Sequence, residues 1–515
     1  MLWIATVVSN IGSWMYGAAA GWLMTSLTKD AFLVSLVQVA SSAPLFLLAM
    51  AAGALSDIID KRRLLIWGES ATAVFSGIFA AYVWFGWVTP GSLLCFMFLV
   101  SVCGALTLPA WQAVVPSLVP KKELTGAISA NGVGFNISRV VGPALAGAII
   151  GPLGIAAPFV INAVSNFGVI GVLAGWRESK STSGGCPPER FTSAIGVGLR
   201  YAINNTELRR TFVRTVAFFL FASSYFALLP LVARLRVSGG PAIYGLLLGA
   251  IGLGAVGAAF VMPYWKKRLG ADGLVAAASV VTAIALVLFA VAREPIVASI
   301  ASVVVGAAWI CGVATLNVSA QLALPDWVRG RGIAMYMTVM FGSLTLGSAL
   351  WGQIATLTSL QVALYIAAVA MLAAIPLTWR WKLQTGELVD LTPSTQWPAP
   401  VVTRAIEGAD GPVLVTIEYR LAGPDNRRSF LTALEELQHE RLRDGASSWG
   451  VFEDTSQANR FLETFLVASW TEHLRQHQRV TNSDYVLQER VVQLLEGEPQ
   501  ITHFIAPNAP DDVST

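Results

Sequence analysis

Apolar runs long enough to cross a bilayer recur along the first 380 residues, separated by short loops. Inside hydrocarbon every backbone N–H and C=O must be satisfied within its own segment, so a run of about 20 such residues predicts a helix. The predicted spans cover 2–27, 31–55, 64–86, 91–113, 125–150 and 156–176, then 210–233, 242–264, 272–291, 295–320, 332–356 and 360–379. Composition agrees: 13% of residues are charged, about half the usual share of a soluble domain. The first run shows no basic leader and no small-residue cleavage site, so it is a span rather than a signal peptide.

The twelve spans fall into two halves at an offset of 205 residues. Lys61, Arg62 and Arg63 fall on Lys266, Lys267 and Arg268, and Pro90 falls on Pro295. Pro120 falls on Pro325, and Gly142 and Gly147 fall on Gly347 and Gly352. Six spans is an even number, so both halves enter from one side. Such a parallel repeat places a substrate site near the midplane, between the halves. Loop charge orients the chain, since Lys and Arg accumulate on the cytoplasmic side. The loops on the side of Arg62 hold 18 basic residues and the opposite loops hold 4. Both termini are therefore expected in the cytoplasm.

Charge also divides the chain. Residues 1–400 carry a net +11, and residues 401–515, with 10 Arg, no Lys and 18 acids, carry −8. The basic residues are loop charges between apolar spans, which excludes a nucleic-acid-binding face. The four cysteines, Cys95, Cys103, Cys186 and Cys311, have no disulfide or zinc spacing.

The first loop on the basic side contains Gly53, Asp57, Asp60, Lys61, Arg62 and Arg63. Gly53 is placed to let two helices approach closely. Asp57, at a helix end beside a cationic cluster, can pair with basic groups or with a neighbouring helix N-terminus. Such a pair could latch one side shut and release it during a cycle; the plainer reading is that the basic residues only fix topology.

This loop resembles the signature loop of the major facilitator superfamily, and the six-plus-six topology agrees. Over roughly residues 1–380 the chain is similar to bacterial exporters like the enterobactin exporter, the transmembrane secretion effectors. That finer resemblance rests on Asn10-Ile-Gly-Ser-Trp14, on the basic loop, and on Asn136-Ile-Ser-Arg139-Val-Val-Gly142-Pro143-Ala-Leu-Ala-Gly147. Related exporters usually carry a short basic leader, so the resemblance implies a start upstream of Met1. It also implies a small-molecule substrate, protons as coupling ion and a membrane-lipid environment in the bacterial inner membrane; the tail shows no nucleophile, phosphate loop or flavin fingerprint, so no enzymatic activity is expected.

The fifth span carries the densest signal. Gly142, Ala144, Ala146 and Gly147 form a small-residue stretch suited to tight helix contact. Pro143 lacks an amide and displaces the carbonyl four residues back, that of Arg139. This resembles the Gly-Pro motif of antiporters in the superfamily, although the usual Gly-Gly ending is Ala146-Gly147 here. The second half has Ser348 for the proline and Leu344 for the arginine. A charge at the helix centre costs about 3 kcal/mol even on a lenient scale. Arg139 should therefore face a cavity, contacting polar or anionic substrate or coupling to protons, or else pair with a polar group. Arg214 is a second candidate, which could instead snorkel to the surface. Glu69, one or two turns into the third span, could exchange protons or be an interfacial acid. Many drug–proton antiporters of the superfamily have an arginine in the fourth span, and this chain has none there. The cavity-lining spans of the superfamily implicate Asn10, Trp14, Tyr225, Trp309 and Asn317.

After a Pro- and Thr-rich linker, the tail predicts the order β-α-β-β-α-β. The strands are Val413–Leu421, Ser447–Glu453, Arg460–Trp470 and Gln500–Ile505. The helices are Asp425–Arg443, Glu472–Arg479 and Ser483–Leu495. This is the order of a ferredoxin-like split βαβ unit, and it resembles the dimeric α+β barrels of the antibiotic-monooxygenase type. Such barrels pair sheet to sheet, which implies a homodimer through the tail. His473 and His477 share one helical face, but spacing fixes no third ligand, so no metal and no cofactor are expected.

The expected class is thus an all-α membrane protein of twelve transmembrane helices in two six-helix repeats, plus a C-terminal α+β ferredoxin-like domain. The expected boundaries are 1–176 and 210–380 for the halves, 177–209 for the connector, 381–411 for the linker, 412–508 for the tail domain and 509–515 for a disordered end. The expected function is export of a siderophore-like or lipophilic drug-like molecule by alternating access. The alternatives are an importer or lipid flippase, or a transporter fused to a domain that modifies or senses its substrate.

Overall fold

The computed structural model describes residues 2–117, 119–120, 122–175, 191–325, 327–385, 406–408 and 410–506. The expected disordered end and most of the linker lie outside the described residues. The chain divides into two compact units, one of residues 1–188, 210–319 and 333–383, the other of residues 189–209, 320–332 and 384–515.

The first unit is helical. Its first six helices are α1 (Leu2–Leu27), α2 (Ala31–Ile58), α3 (Lys61–Trp84), α4 (Pro90–Ser117), α5 (Leu124–Leu153) and α6 (Ala157–Gly175). A helix absent from the expectations, α7 (Phe191–Asn204), occupies the connector and belongs to the second unit. Then come α8 (Thr206–Leu231), α9 (Pro241–Val291), α10 (Pro295–Leu322), α11 (Arg329–Leu357) and α12 (Leu360–Thr378). Local signals account for the helix starts. Asp30 accepts the N–H of Phe32, Asp60 that of Arg63 and Ser359 that of Val362, each satisfying an orphan donor of the first turn. Pro90 and Pro295 open α4 and α10, where a missing amide is harmless.

Among the described residues ten helices are long and apolar enough to cross a membrane, against the twelve spans expected. Two causes account for the difference. Asn10, three serines and three glycines dilute α1, which is not among the ten. The spans expected at 242–264 and 272–291 are joined as the 51-residue α9, interrupted only at Gly270, whose φ of 67° and ψ of 179° are non-helical. That backbone region suits glycine, and the loop between the two expected spans is reduced to it.

The second unit contains a four-stranded antiparallel sheet. Its strands are β1 (Val413–Arg420), β2 (Ala446–Glu453), β3 (Arg460–Val467) and β4 (Gln500–Ile505), in the order β2-β3-β1-β4. The long helix α13 (Arg427–Asp444) follows β1, and α14 (Trp470–Arg479) and α15 (Asn482–Val492) follow β3. Strand β1 alternates strictly, with Val413, Val415, Ile417 and Tyr419 buried, which turns that face onto Phe430, Leu434 and Leu437 of α13. Buried at the heart of this face, Glu463 accepts hydrogen bonds from Tyr419 (2.6 Å), Trp449 (2.8 Å) and Arg441 (3.3 Å), so its charge is compensated on several sides.

The unit is larger than the tail predicted from hydropathy. Tyr201 of α7 is buried, its hydroxyl reaches the carbonyl of Ala323, and Arg443 of α13 lies over its ring. Trp327 packs edge-on against Tyr201 and under the guanidinium of Arg479. Connector, the 320–332 segment and tail therefore share one apolar and cationic seam.

Candidate functional site

Small residues bring α5 against its neighbours. A Cβ on Gly142 would lie 2.6 Å from Trp14 Cβ and 2.9 Å from the carbonyl oxygen of Ile11 on α1. One on Gly147 would lie 2.6 Å from the Pro241 carbonyl at the start of α9, and Gly245 of α9 faces Gly147 and the carbonyl of Pro143 just as closely. The second half repeats this pattern. Gly347 is tight against Leu220 and Ser223 of α8, and Gly352 against Phe32 and Ser35 of α2. Glycines 205 residues apart thus sit at corresponding crossings, where only a missing side chain permits the approach. Gly53 does not behave this way. Among the described residues nothing lies within 4 Å of its would-be Cβ, so the close helix contact expected of it is not seen.

Arg139 lies one turn before Gly142 and Pro143. Its guanidinium carbon is 5.9 Å from the ring of Trp14 on α1 and 5.9 Å from that of Trp309 on α10. Phe135 meets Trp14 edge-on at 6.0 Å. Phe219, Tyr225 and Phe226 of α8 surround Trp309 at 5.2, 6.4 and 4.8 Å. Tyr225 is buried, and its hydroxyl has no hydrogen-bond partner. Among the described residues no carboxylate lies within ion-pair distance of Arg139. A cation is therefore held in an aromatic frame supplied by both halves, with cation–π attraction in place of a counter-ion. Trp14, Arg139, Tyr225 and Trp309, chosen separately in the sequence, are brought together here.

Among the described residues, polar contacts between the halves run from the Asp30 end of the helices to their middle. Asp30 accepts the hydroxyl of Thr356 at 2.7 Å, Arg234 donates to Thr25 and Ser26, and Ser42 meets Thr345 at 2.8 Å. Towards the other end, α5 is exposed from Thr125 to Val133 almost all round, with Gly126 and Gly132 free of neighbours within 4 Å. That end carries the basic loops. There Asp60 caps α3, and Arg62 donates to the carbonyls of Leu173 and Ala174 at the end of α6. Arg63 is exposed and Lys61 half-buried. The side chain of Asp57 lies outside the described residues.

Glu69 accepts the indole N–H of Trp111 at 3.0 Å, and among the described residues no basic group pairs with it. Arg214, 3% exposed, donates to Thr378 and to the carbonyl of Asp272, and its guanidinium is 3.8 Å from the Asp272 carboxylate. This network ties α8, the restart of α9 after Gly270, and the end of α12, so packing alone accounts for the burial of Arg214. Asn10 and Asn317 are half-buried on α1 and α10. Sequence reasoning passed over Asn162 and Asn166. Both are fully buried on α6 and bonded to Ser76 of α3 and Ser9 of α1; two amides four residues apart in an apolar span were the available signal.

In the second unit a cavity of about 190 Å³ is lined by Asn205, Glu207, Glu440, Arg443 and Asp484. Burial pushes the Glu440 carboxyl up to about 8, against the opposing pull of Arg441. Burial lowers His473 to about 3 and His477 to about 4, with the neighbouring histidines adding to the effect.

A small-residue helix crossing, a charged aromatic centre between two helical sets, and many apolar helices are features of a polytopic membrane protein. The model of the transmembrane secretion effector family matches residues 1–511, and the chain belongs to that family of major facilitator transporters. It is 26% identical over 341 residues to the staphyloferrin A transporter of Staphylococcus aureus, covering 66% of this chain and 85% of that one. It is also 26% identical over 145 residues to macrolide efflux protein A of Streptococcus pyogenes, covering 28% and 36%. Among solved structures, the nucleoside transporter NupG aligns with a TM-score of 0.56 at 13% identity, over 74% of this chain and 98% of that one. A POT peptide transporter in complex with sulfate aligns at 0.60 and 13%, over 74% and 93%. These last two likenesses concern the fold.

Proposed function

We propose that this protein exports a siderophore-like or lipophilic drug-like molecule across the bacterial inner membrane by alternating access. The observation that carries the reading is Arg139, a cation without a carboxylate partner among the described residues, held between Trp14 of one half and Trp309 of the other. An aromatic or anionic solute would find there both a charge and flat apolar walls. The site adjoins the Gly142–Gly147 crossing, so a rocking of one half on the other would alter access to it. The exposed first turns of α5 support a cleft opening towards the basic loops. By loop charge that side is the cytoplasm, which would also hold both termini.

The reading takes the helices as twelve spans. At about 1.5 Å per residue the 51 residues of α9 exceed twice a bilayer core; with the break at Gly270, that supports two crossings. Glu69 is the proposed proton-exchanging acid and Arg139 the proposed substrate contact, whereas the engagement of Arg214 favours a structural part. Asp60, Arg62 and Arg63 form the proposed gating loop with Asp57. The strand order β2-β3-β1-β4 supports a ferredoxin-like tail. Its outer sheet face, with Leu462, Phe452 and Phe504 exposed, supports sheet-to-sheet pairing into a homodimer.

The names of the relatives, a staphyloferrin A transporter and a macrolide efflux protein, set the probe panel. In a strain stripped of its own pumps, expression should lower intracellular siderophore or macrolide, and collapsing the proton gradient should abolish the effect. Accumulation instead would establish an importer, and movement of labelled phospholipid alone a flippase.

A further inference from the structure

Three of the four histidines converge in the second unit, at a place the transport reading does not use. His473 and His477 stand one turn apart on α14, and their Nε2 atoms are 3.2 Å from each other. His503 comes from β4, where it lies opposite Val415 and so on the buried face of the sheet. Its ring is 4.7 Å from that of His473, centroid to centroid. One ligand nitrogen from each histidine lies within 4.8 Å of the other two.

The spacing suits a metal. Zinc takes imidazole nitrogen at about 2.0–2.1 Å in a tetrahedron, which sets two such ligands about 3.3 Å apart. A hydrogen-bonded histidine pair would explain the 3.2 Å contact but not the third imidazole beside it. The Nδ1 of His473 is fully buried. Gln476, buried on the same helix, lies against His473, and its amide atoms form no hydrogen bond of good geometry. When a ligating imidazole gives one nitrogen to a metal, the other N–H needs an acceptor of this kind. Trp470 closes the site, 5.4 Å from His473 and 6.2 Å from His503.

We propose that His473, His477 and His503 form a binding site for a zinc-class divalent cation, with the fourth position open to water. The donor set is all imidazole, since the tail has no cysteine and no carboxylate belongs to the cluster. Such a set favours Zn²⁺ and its nitrogen-seeking neighbours over Mg²⁺ or Ca²⁺. The proposal is independent of what the helices transport.

The test uses the full chain in detergent, purified through a tag without histidine, stripped by chelator and titrated with Zn²⁺ alone. One equivalent should bind in the presence of excess Mg²⁺. His477→Ala and His503→Ala should each weaken it by at least about tenfold, while His439→Ala should not. Cobalt loaded in place of zinc should give the visible spectrum of a tetrahedral nitrogen site, which reads the wild-type chain even where a variant fails to fold. No stoichiometric zinc, binding indifferent to the His477 and His503 substitutions, or an octahedral cobalt spectrum would each overturn the assignment.

Discussion

Arg139 is the residue whose chemistry is hardest to replace. Lysine would keep the charge but lose the flat guanidinium that lies near both Trp14 and Trp309. Cation–π contacts contribute about 0.5–2 kcal/mol each, so Arg139→Lys should slow efflux roughly tenfold. Arg139→Ala should abolish efflux with the protein still inserted, as measured in vesicles with matched protein content; unchanged efflux would return Arg139 to a structural part. Glu440 offers a test of sign in the tail. Its carboxyl is 4% exposed, takes a hydrogen bond from Gln488, and faces Arg441, Arg443, Asp444 and Asp484. Its folded value, about 8, lies above its ordinary one. The folded state therefore holds the extra proton, and stability falls as pH rises from about 4.5 towards 8. Glu440→Gln should remove that slope. Hydrogen exchange of α13 peptides in the full chain at pH 6 and pH 8.5 would measure it, and an unchanged difference between the two would contradict the assignment.

At the scale of the helix, the crossings of α5 decide the fold of the first unit. Gly147→Ala puts a methyl against the backbone of Pro241 and Gly245, where neither helix can yield without moving. Overpacking of this kind costs about 1–3 kcal/mol, and the variant should lose thermal stability in detergent. Gly53→Ala, with open space around it, should be neutral there despite its place in the signature loop. A gain of stability at Gly147, or a loss at Gly53, would show that the crossing is placed wrongly. In the tail, β4 sets which face each side chain takes. His503 faces inward with Val415, and Phe504 outward with Leu414. One residue of slip would exchange them, removing the third imidazole and the apolar outer face together.

For the whole molecule, the second unit joins the tail with α7 and the 320–332 segment. Arg479 over Trp327 and Arg443 over Tyr201 make deletion of the tail more than the loss of an appendage. Ending the chain after Leu391 should leave Tyr201 and Trp327 without these partners and lower protein yield, even if the remaining transporters still export. A cysteine at Thr464, on the outer sheet face, should cross-link copies if the tail dimerises as proposed, and only monomers would argue against it.

The sequence by itself determined a helical membrane protein, because satisfying backbone polarity in lipid leaves long apolar helices with few alternatives; the transporter class rested on the resemblance of its first basic loop and fifth span to a known family. It also placed the tail's strands and helices closely, since alternation on β1 and the helical face of α13 are local patterns. It marked Arg139 through cost: a charge in an apolar span demands a reason. It missed α7, which is too short and polar-faced to show among spans, whereas its division of the 241–291 run falls at the non-helical Gly270. Only the tertiary structure decided which marked residues meet. Trp14, Arg139, Tyr225 and Trp309 come from four helices, and His503 reaches His473 and His477 from a strand about 30 residues away in sequence. Spacing along a chain fixes neighbours on one element; the packing of one element on another fixes the rest.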